Sequence, residues 1–297
     1  MYGRSYNVDP STNKFIHIPD TIQICNFGAS HGQQGFNYED LENEYACFNF
    51  GLSAQSLSYD YRLFQYYSGH IAENAVVFIP VSYPMLFKAE GAGPENLSKN
   101  KRYYSILPKE LIREYDYRTD IYVKFFPALA SSTDALVRTL TGKDEVEEIW
   151  QSVATDMSIS ANAKARAKAL VVDKDIYHDA DAAEIGNQEE IDALYALVKG
   201  CQERGAIPVL ITTPLPHQLT EAVMETAENF YECFYSLIDQ VVKDTGVEYY
   251  DYAFDERFVN EYSWFADADH LNKEGARNFT DILMEEIVYA KGYYPEK

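Results

Sequence analysis

The chain has 297 residues, 46% of them hydrophobic, enough for one large core or for a core domain carrying an insertion. It holds 47 acidic against 25 basic residues, a formal charge of −22. So acidic a chain repels polyanions, which argues against a nucleic-acid partner and against binding to anionic lipid surfaces. No run of about 18 apolar residues is present, and Met1 to Asp20 has no signal-type apolar segment. The four cysteines, Cys25, Cys47, Cys201 and Cys233, form no C-x-x-C pair, which disfavours a zinc knuckle. Cys25 and Cys47 read as buried thiols of neighbouring strands. There is no Gly-rich phosphate loop, and no metal or cofactor is expected. The 25 tyrosines read as half-buried residues of core and cap.

Residues 1–20 are polar and irregular and make an N-terminal arm. Thr21 to Phe27 is a short apolar-rich run, a buried first strand, broken by Gly28-Ala29-Ser30-His31-Gly32. Such a turn at the carboxyl end of a strand brings backbone N–H groups and a hydroxyl into a crevice. Cys47 to Phe50 reads as a second strand, closed by Gly51. Leu57, Tyr61, Phe64, Tyr67 and Ile71 recur at helical spacing and predict an amphipathic helix over 56–71. Ala75 to Val81 is the clearest strand. Strand, helix, strand in this order implies parallel pairing with right-handed crossovers.

Beyond Tyr83-Pro84 the pattern changes. Residues 85–186 hold no alternating strand signal, only helical pieces at 132–141, 144–156 and 160–172 and the acidic stretch Asp173 to Glu184. This is too long for a connection and reads as a mostly helical insertion, a lid at the carboxyl edge of the sheet. Regular order then resumes. Ile191, Leu194, Tyr195, Val198 and Cys201 mark a helix stopped by Gly205, and Pro208 to Thr213 is the fourth strand. Val223, Ala227, Phe230, Phe234, Leu237 and Val241 predict one long helix ended by Gly246. Glu248 to Ala253 is a fifth strand, and Asn272 caps a last helix with Ala276, Phe279, Leu283 and Ile287 on its apolar face. The sum is an α/β chain: a three-layer α/β/α, doubly wound, flavodoxin-like fold with a parallel five-stranded sheet. Residues 21–84 and 187–297 form the catalytic domain.

Two of these turns carry chemistry. A serine hydroxyl is a poor nucleophile until a base takes its proton. Ser30 follows the first strand, and Asp267-Ala268-Asp269-His270 stands just before the last helix. His270 is the candidate base, and Asp267, three residues earlier, can accept the other ring N–H and fix the tautomer. Asp269 is expected to point away in an extended loop and is given no role. His31 would have to fold back to serve as base, so it reads as a turn residue or at most a substrate contact. Asn49 and His217 are further candidate substrate contacts, with His217 outside the catalytic set.

Gly28-Ala29-Ser30, Asn49-Phe50-Gly51-Leu52-Ser53 and Asp267 to His270 resemble blocks of the SGNH, or GDSL-type, hydrolase superfamily. Ala29 replaces the Asp of the Gly-Asp-Ser block, and Pro80-Val81-Ser82-Tyr83 departs from the Gly-x-Asn-Asp block. Gly-Ala-Ser-His-Gly with Asp-x-Asp-His-Leu-Asn-Lys-Glu-Gly is most similar to one branch. That branch holds the D-alanyl transfer protein of lipoteichoic acid synthesis and the alginate acetylation proteins. The resemblance implies an oxyanion hole from the N–H groups of Ser30 and Gly51, with Ser82 where Asn is usual. It implies an acyl-enzyme on Ser30, an acyl ester donor, a carbohydrate or polyol acceptor and a membrane acyltransferase partner. A carbohydrate esterase and a non-catalytic carbohydrate-binding relative are the alternatives. The branch usually carries a membrane anchor, so the expectation is extracytoplasmic if an anchor precedes this sequence and cytoplasmic otherwise. Lys99 to Arg102 is the basic patch expected to line an acceptor groove if the acceptor is anionic.

Overall fold

The computed structural model describes residues 9–87, 100–125, 149–171 and 186–293. The chain divides into two compact units, Met1–Asp20 with Glu90–Ile149, and Thr21–Ala89 with Trp150–Lys297. The helical pieces expected at 132–141 and at 144–148, Lys99, and the stretch Asp173 to Glu184 lie outside the described residues.

The larger unit is the expected sandwich. Five parallel strands, β1 (Ile22–Asn26), β2 (Cys47–Asn49), β3 (Ile71–Pro80), β4 (Ile207–Thr212) and β5 (Glu248–Asp251), lie in the order β2-β1-β3-β4-β5. All five residues of β1 are buried, because helices cover both faces of a parallel sheet. Successive strand residues face opposite sides. Ile24, Val76, Phe78, Val209 and Ile211 share one core with Phe36, which follows helix α1 (Ser30–Gly35), and with the last helix. The helices between these are α2 (Leu57–Tyr67), α3 (Tyr117–Phe125, in the smaller unit), α4 (Asp156–Leu170), α5 (Gln188–Glu203), α6 (His217–Thr226), α7 (Phe230–Thr245) and α8 (Lys273–Leu283). On the opposite side α5 packs on β4 and α2, and α7 on β5.

Local chemistry sets the helix ends. Ser56 caps α2 by accepting from the Tyr59 N–H, and the buried Glu190 of α5 takes the Ser58 N–H at 2.9 Å. Asn272 caps α8 through the Gly275 N–H. Gly246 closes α7 in the left-handed region at φ 71°, which glycine adopts without strain. The single long helix expected from Val223 to Val241 is instead two. The chain breaks at residues 227–229, while its apolar spacing runs on into α7. Strand β3 also begins earlier than its apolar run, at Ile71.

The smaller unit has short 3₁₀ turns at Pro10–His17, Lys101–Ser105 and Lys109–Leu111 besides α3. Tyr104 stacks on Tyr115 and accepts from the Asp116 N–H. Arg102 is buried against Tyr103, so it is not offered to an anionic acceptor as the Lys99 to Arg102 patch was expected to be.

Candidate active site

The turn that carries Ser30 is clamped from three sides. Phe27 still bonds to the Phe78 carbonyl, so the chain leaves the sheet only at Gly28. Gly28 has φ 109°, open to glycine alone, and its N–H donates to Asp60 Oδ1 at 2.9 Å. Asp60 is fully buried and also holds Gln55 Nε2 at 2.6 Å. Asn26 Nδ2 donates to the carbonyls of Phe27 and Gly32, and Asn49 Nδ2 to those of Gly32 and Gln33. A Cβ on Gly32 would run into the Phe27 carbonyl oxygen. Ser30 therefore emerges as the first residue of α1, half-buried, at the carboxyl edge of the sheet.

The second turn comes from the other end of the chain. Phe265 and Leu271 pair across it, and Ala266 donates to the His270 carbonyl at 2.8 Å. Asp267 Oδ1 accepts the backbone N–H groups of Asp269 at 3.0 Å and His270 at 2.9 Å. This side-chain-to-backbone wrap makes the loop a tight turn.

The two turns bring Ser30, His270 and Asp267 together. His270 Nε2 lies 2.8 Å from Ser30 Oγ, and Nδ1 lies 2.9 Å from Asp267 Oδ2. With carboxylates facing Nδ1, the ring proton belongs there, which leaves the Nε2 lone pair aimed at the hydroxyl. Burial pushes the His270 pKa down, but the charges of Asp269 and Asp267 and the Asp267 bond more than offset this and raise it. Burial pushes Asp267 up, and its bond and attraction to His270 carry it below the ordinary carboxylate value.

Asp269 does not point away. Because the loop is wrapped rather than extended, its carboxylate is turned inward and is 2% exposed. Oδ2 pairs with Arg166 Nη2 of α4 at 2.6 Å and lies 3.2 Å from His31 Nε2; Oδ1 lies 3.3 Å from His270 Nδ1. Burial opposes its ionised form, but His270, His31 and Arg166 hold it far below the ordinary carboxylate range. His31 is buried and stacks on His270 with ring centroids 5.0 Å apart; burial lowers its pKa below the ordinary histidine value, against the pull of Asp269.

Other expected roles are corrected. The Gly51 N–H donates to Asn49 Oδ1 at 2.8 Å, so it is committed inside the strand-two turn rather than offered to an oxyanion. Asn49 spends its amide on that turn and on α1 rather than on a substrate. His217 begins α6 and is held by the Val259 carbonyl and Tyr262 hydroxyl, each 3.3 Å from Nδ1. Ser82 lies beyond β3 and lines a small pocket, about the size of one water molecule, with His31, Tyr83, Leu170, Thr212, Thr213 and Leu215. Leu170 comes from α4, which therefore lies over the carboxyl edge. Arg166, Asp60 and Asp269 are the groups that reading the sequence missed.

His31, Asp269 and His270 also offer three ligand atoms within 4.8 Å of one another. The set does not suit a metal. Asp269 is already paired with a guanidinium, and both His270 nitrogens face protein partners.

No family model matches the chain, and no curated protein is similar to it at a significant level. Solved structures do resemble it. A psychrotrophic esterase from Pseudoalteromonas sp., inhibited by monoethylphosphonate, is 12% identical with a TM-score of 0.38, over 91% of this chain and 98% of that one. A protein assigned as a platelet activating factor from Streptococcus pneumonia is 10% identical with a TM-score of 0.43, over 93% and 90%. A protein assigned as a GDSL-like lipase from Parabacteroides merdae is 11% identical with a TM-score of 0.40, over 93% and 97%. The three-layer α/β/α class rests on the sheet order and register themselves.

Proposed function

We propose that the protein is a serine-dependent acyl-ester enzyme. The carrying observation is the line Ser30 Oγ, His270 Nε2, His270 Nδ1, Asp267, with contacts of 2.8 and 2.9 Å. In the reaction His270 takes the Ser30 proton as Oγ attacks the ester carbonyl. The tetrahedral intermediate collapses with loss of the alcohol, which receives that proton from His270. An acyl group is left on Ser30. His270 then deprotonates the incoming hydroxyl, and Ser30 is regenerated. The Ser30 N–H and the Ser82 hydroxyl are the donors we assign to the oxyanion.

Within that class we propose acyl transfer to a carbohydrate or polyol hydroxyl of an envelope polymer. Ala29 and Ser82 at the altered blocks support this, as does α4 over the edge where water would otherwise enter. Plain ester hydrolysis is the competing reading. Mass spectrometry of protein incubated with an activated acyl ester tests the class: an adduct on Ser30 supports it, and no adduct sinks it. Partitioning of that adduct between water and an added oligosaccharide or glycerol phosphate tests the finer reading. Equal water capture at every acceptor concentration leaves the esterase.

A further inference from the structure

The acid-base pair has more carboxylate around it than one serine requires. Asp267, which bonds the ring, is 47% exposed, so water competes for and screens its charge. Asp269 is 2% exposed, and Oδ1 lies 3.3 Å from the same ring nitrogen, longer than a strong hydrogen bond. Its effect on the ring is the field of a full charge in a dry site. Such a charge is tolerated only when paired. The pair is Arg166, carried by a helix of the segment inserted between β3 and α5.

The helix is built to hold that guanidinium in place. Thr155 and Ser158 form a reciprocal capping box at its start. Ile159, Ala163, Ala167 and Leu170 make its buried stripe, and Asp156 accepts from Gln218 of α6. Arg166 lies beside that stripe and is 36% exposed. His31 Nε2 lies 3.2 Å from the same carboxylate oxygen that Arg166 holds, and the His31 ring stacks on His270.

We propose that Asp269 is a second positioning carboxylate for His270 and that Arg166 of the inserted helix sets how strongly it acts. The inference rests on the Ser30–His270 reading above. The groups facing His270 are Asp267 and Asp269 from its own loop, Ser30 and His31 from α1, and Arg166 from α4. The imidazolium formed when Ser30 gives up its proton is stabilised by Asp269, and Arg166 partly cancels that field while keeping the carboxylate ionised and in place. The inserted segment is thus wired to the protonation of the catalytic base rather than being only a cover.

The test is an NMR titration of the His270 ring in the whole chain, assigned by loss of its signal in His270→Gln, alongside the pH profile of ester turnover. Asp269→Asn removes a negative neighbour, so the His270 titration and the acid limb both move to lower pH. The plateau kcat falls by about ten- to a hundredfold, part of the 10²–10⁴ that a general base supplies. Arg166→Met removes a positive neighbour and leaves His270, the largest influence holding Asp269 ionised, as its charge partner, so both move to higher pH, and Arg166→Lys leaves them near wild type. A purely structural role would give no opposed signs. An unmoved titration in Asp269→Asn, or a shift in the same direction in Arg166→Met, overturns the proposal. Should Asp269→Asn not fold, the Arg166 pair decides alone. The titration needs no turnover, so a protein without esterase activity but with opposed shifts would fail the functional reading and keep this one.

Discussion

At Ser30 the backbone does half the work of the site. The hydroxyl sits on the first residue of a helix, after a glycine that no other residue can replace at φ 109°. It contributes little to the core, so Ser30→Ala should keep the thermal midpoint while ester turnover drops by about three or more orders of magnitude. Wild-type rates in that variant would remove Ser30 as nucleophile. His270 must be neutral to act as base, and its pKa is raised. The acid limb of kcat/KM should therefore have its midpoint above the ordinary 6.5 for histidine, with activity lost as pH falls through it. A midpoint below 6.5 would contradict the two-carboxylate environment. The serine, histidine and first aspartate were legible because each sits in a short motif beside an element boundary. Asp269 was misread because the wrap made by Asp267 depends on three-dimensional closure of the loop. Arg166 carries no local signal at all: it is one cation on an Ala-rich helix, and its partner is set by how that helix lands.

Among elements, the sheet was the most readable part, since buried parallel strands are apolar on both faces and stand out as runs. The helices were read from periodicity, which marks a face but not a break. So α6 and α7 merged, and their separation at residues 227–229 went unseen. Asn272 was readable as a cap, but it does more than cap. Its Nδ2 also holds the Ser263 and Phe265 carbonyls, which tie the Asp267–His270 loop to α8. Asn272→Ala should cost more than the typical cap value of about 1 kcal/mol in urea unfolding, and should lower kcat as well. Unchanged turnover with lower stability would show that the loop holds itself. On α4, Ile159 is fully buried in the α8 core. Ile159→Ala should cost about 2–5 kcal/mol if the helix folds with the sheet as one unit, and much less if it docks separately.

For the whole molecule, charge and pH pull the site in two directions. The excess of 47 acidic over 25 basic residues repels itself, so moderate salt should raise the thermal midpoint. The site adds its own pH dependence. Asp267 and Asp269 have depressed pKa values, so their contribution is present above the ordinary carboxylate value and is lost as pH falls through the folded one. His270 has a raised pKa, so its contribution is full below 6.5 and is lost as pH rises through the folded value. Both are present together only in mildly acidic solution, whereas the proposed catalysis needs the neutral histidine at higher pH. The unfolding free energy of wild type relative to Asp269→Asn should therefore be most favourable at about pH 5–6 and should decline toward pH 8.5 as His270 gives up its proton. Urea titrations of the two proteins at both pH values read the difference directly, with the background charges cancelling. A relative stability that grows toward pH 8.5 would mean that Asp269 does not act on the protonated histidine, and the electrostatic account of this site would have the wrong sign.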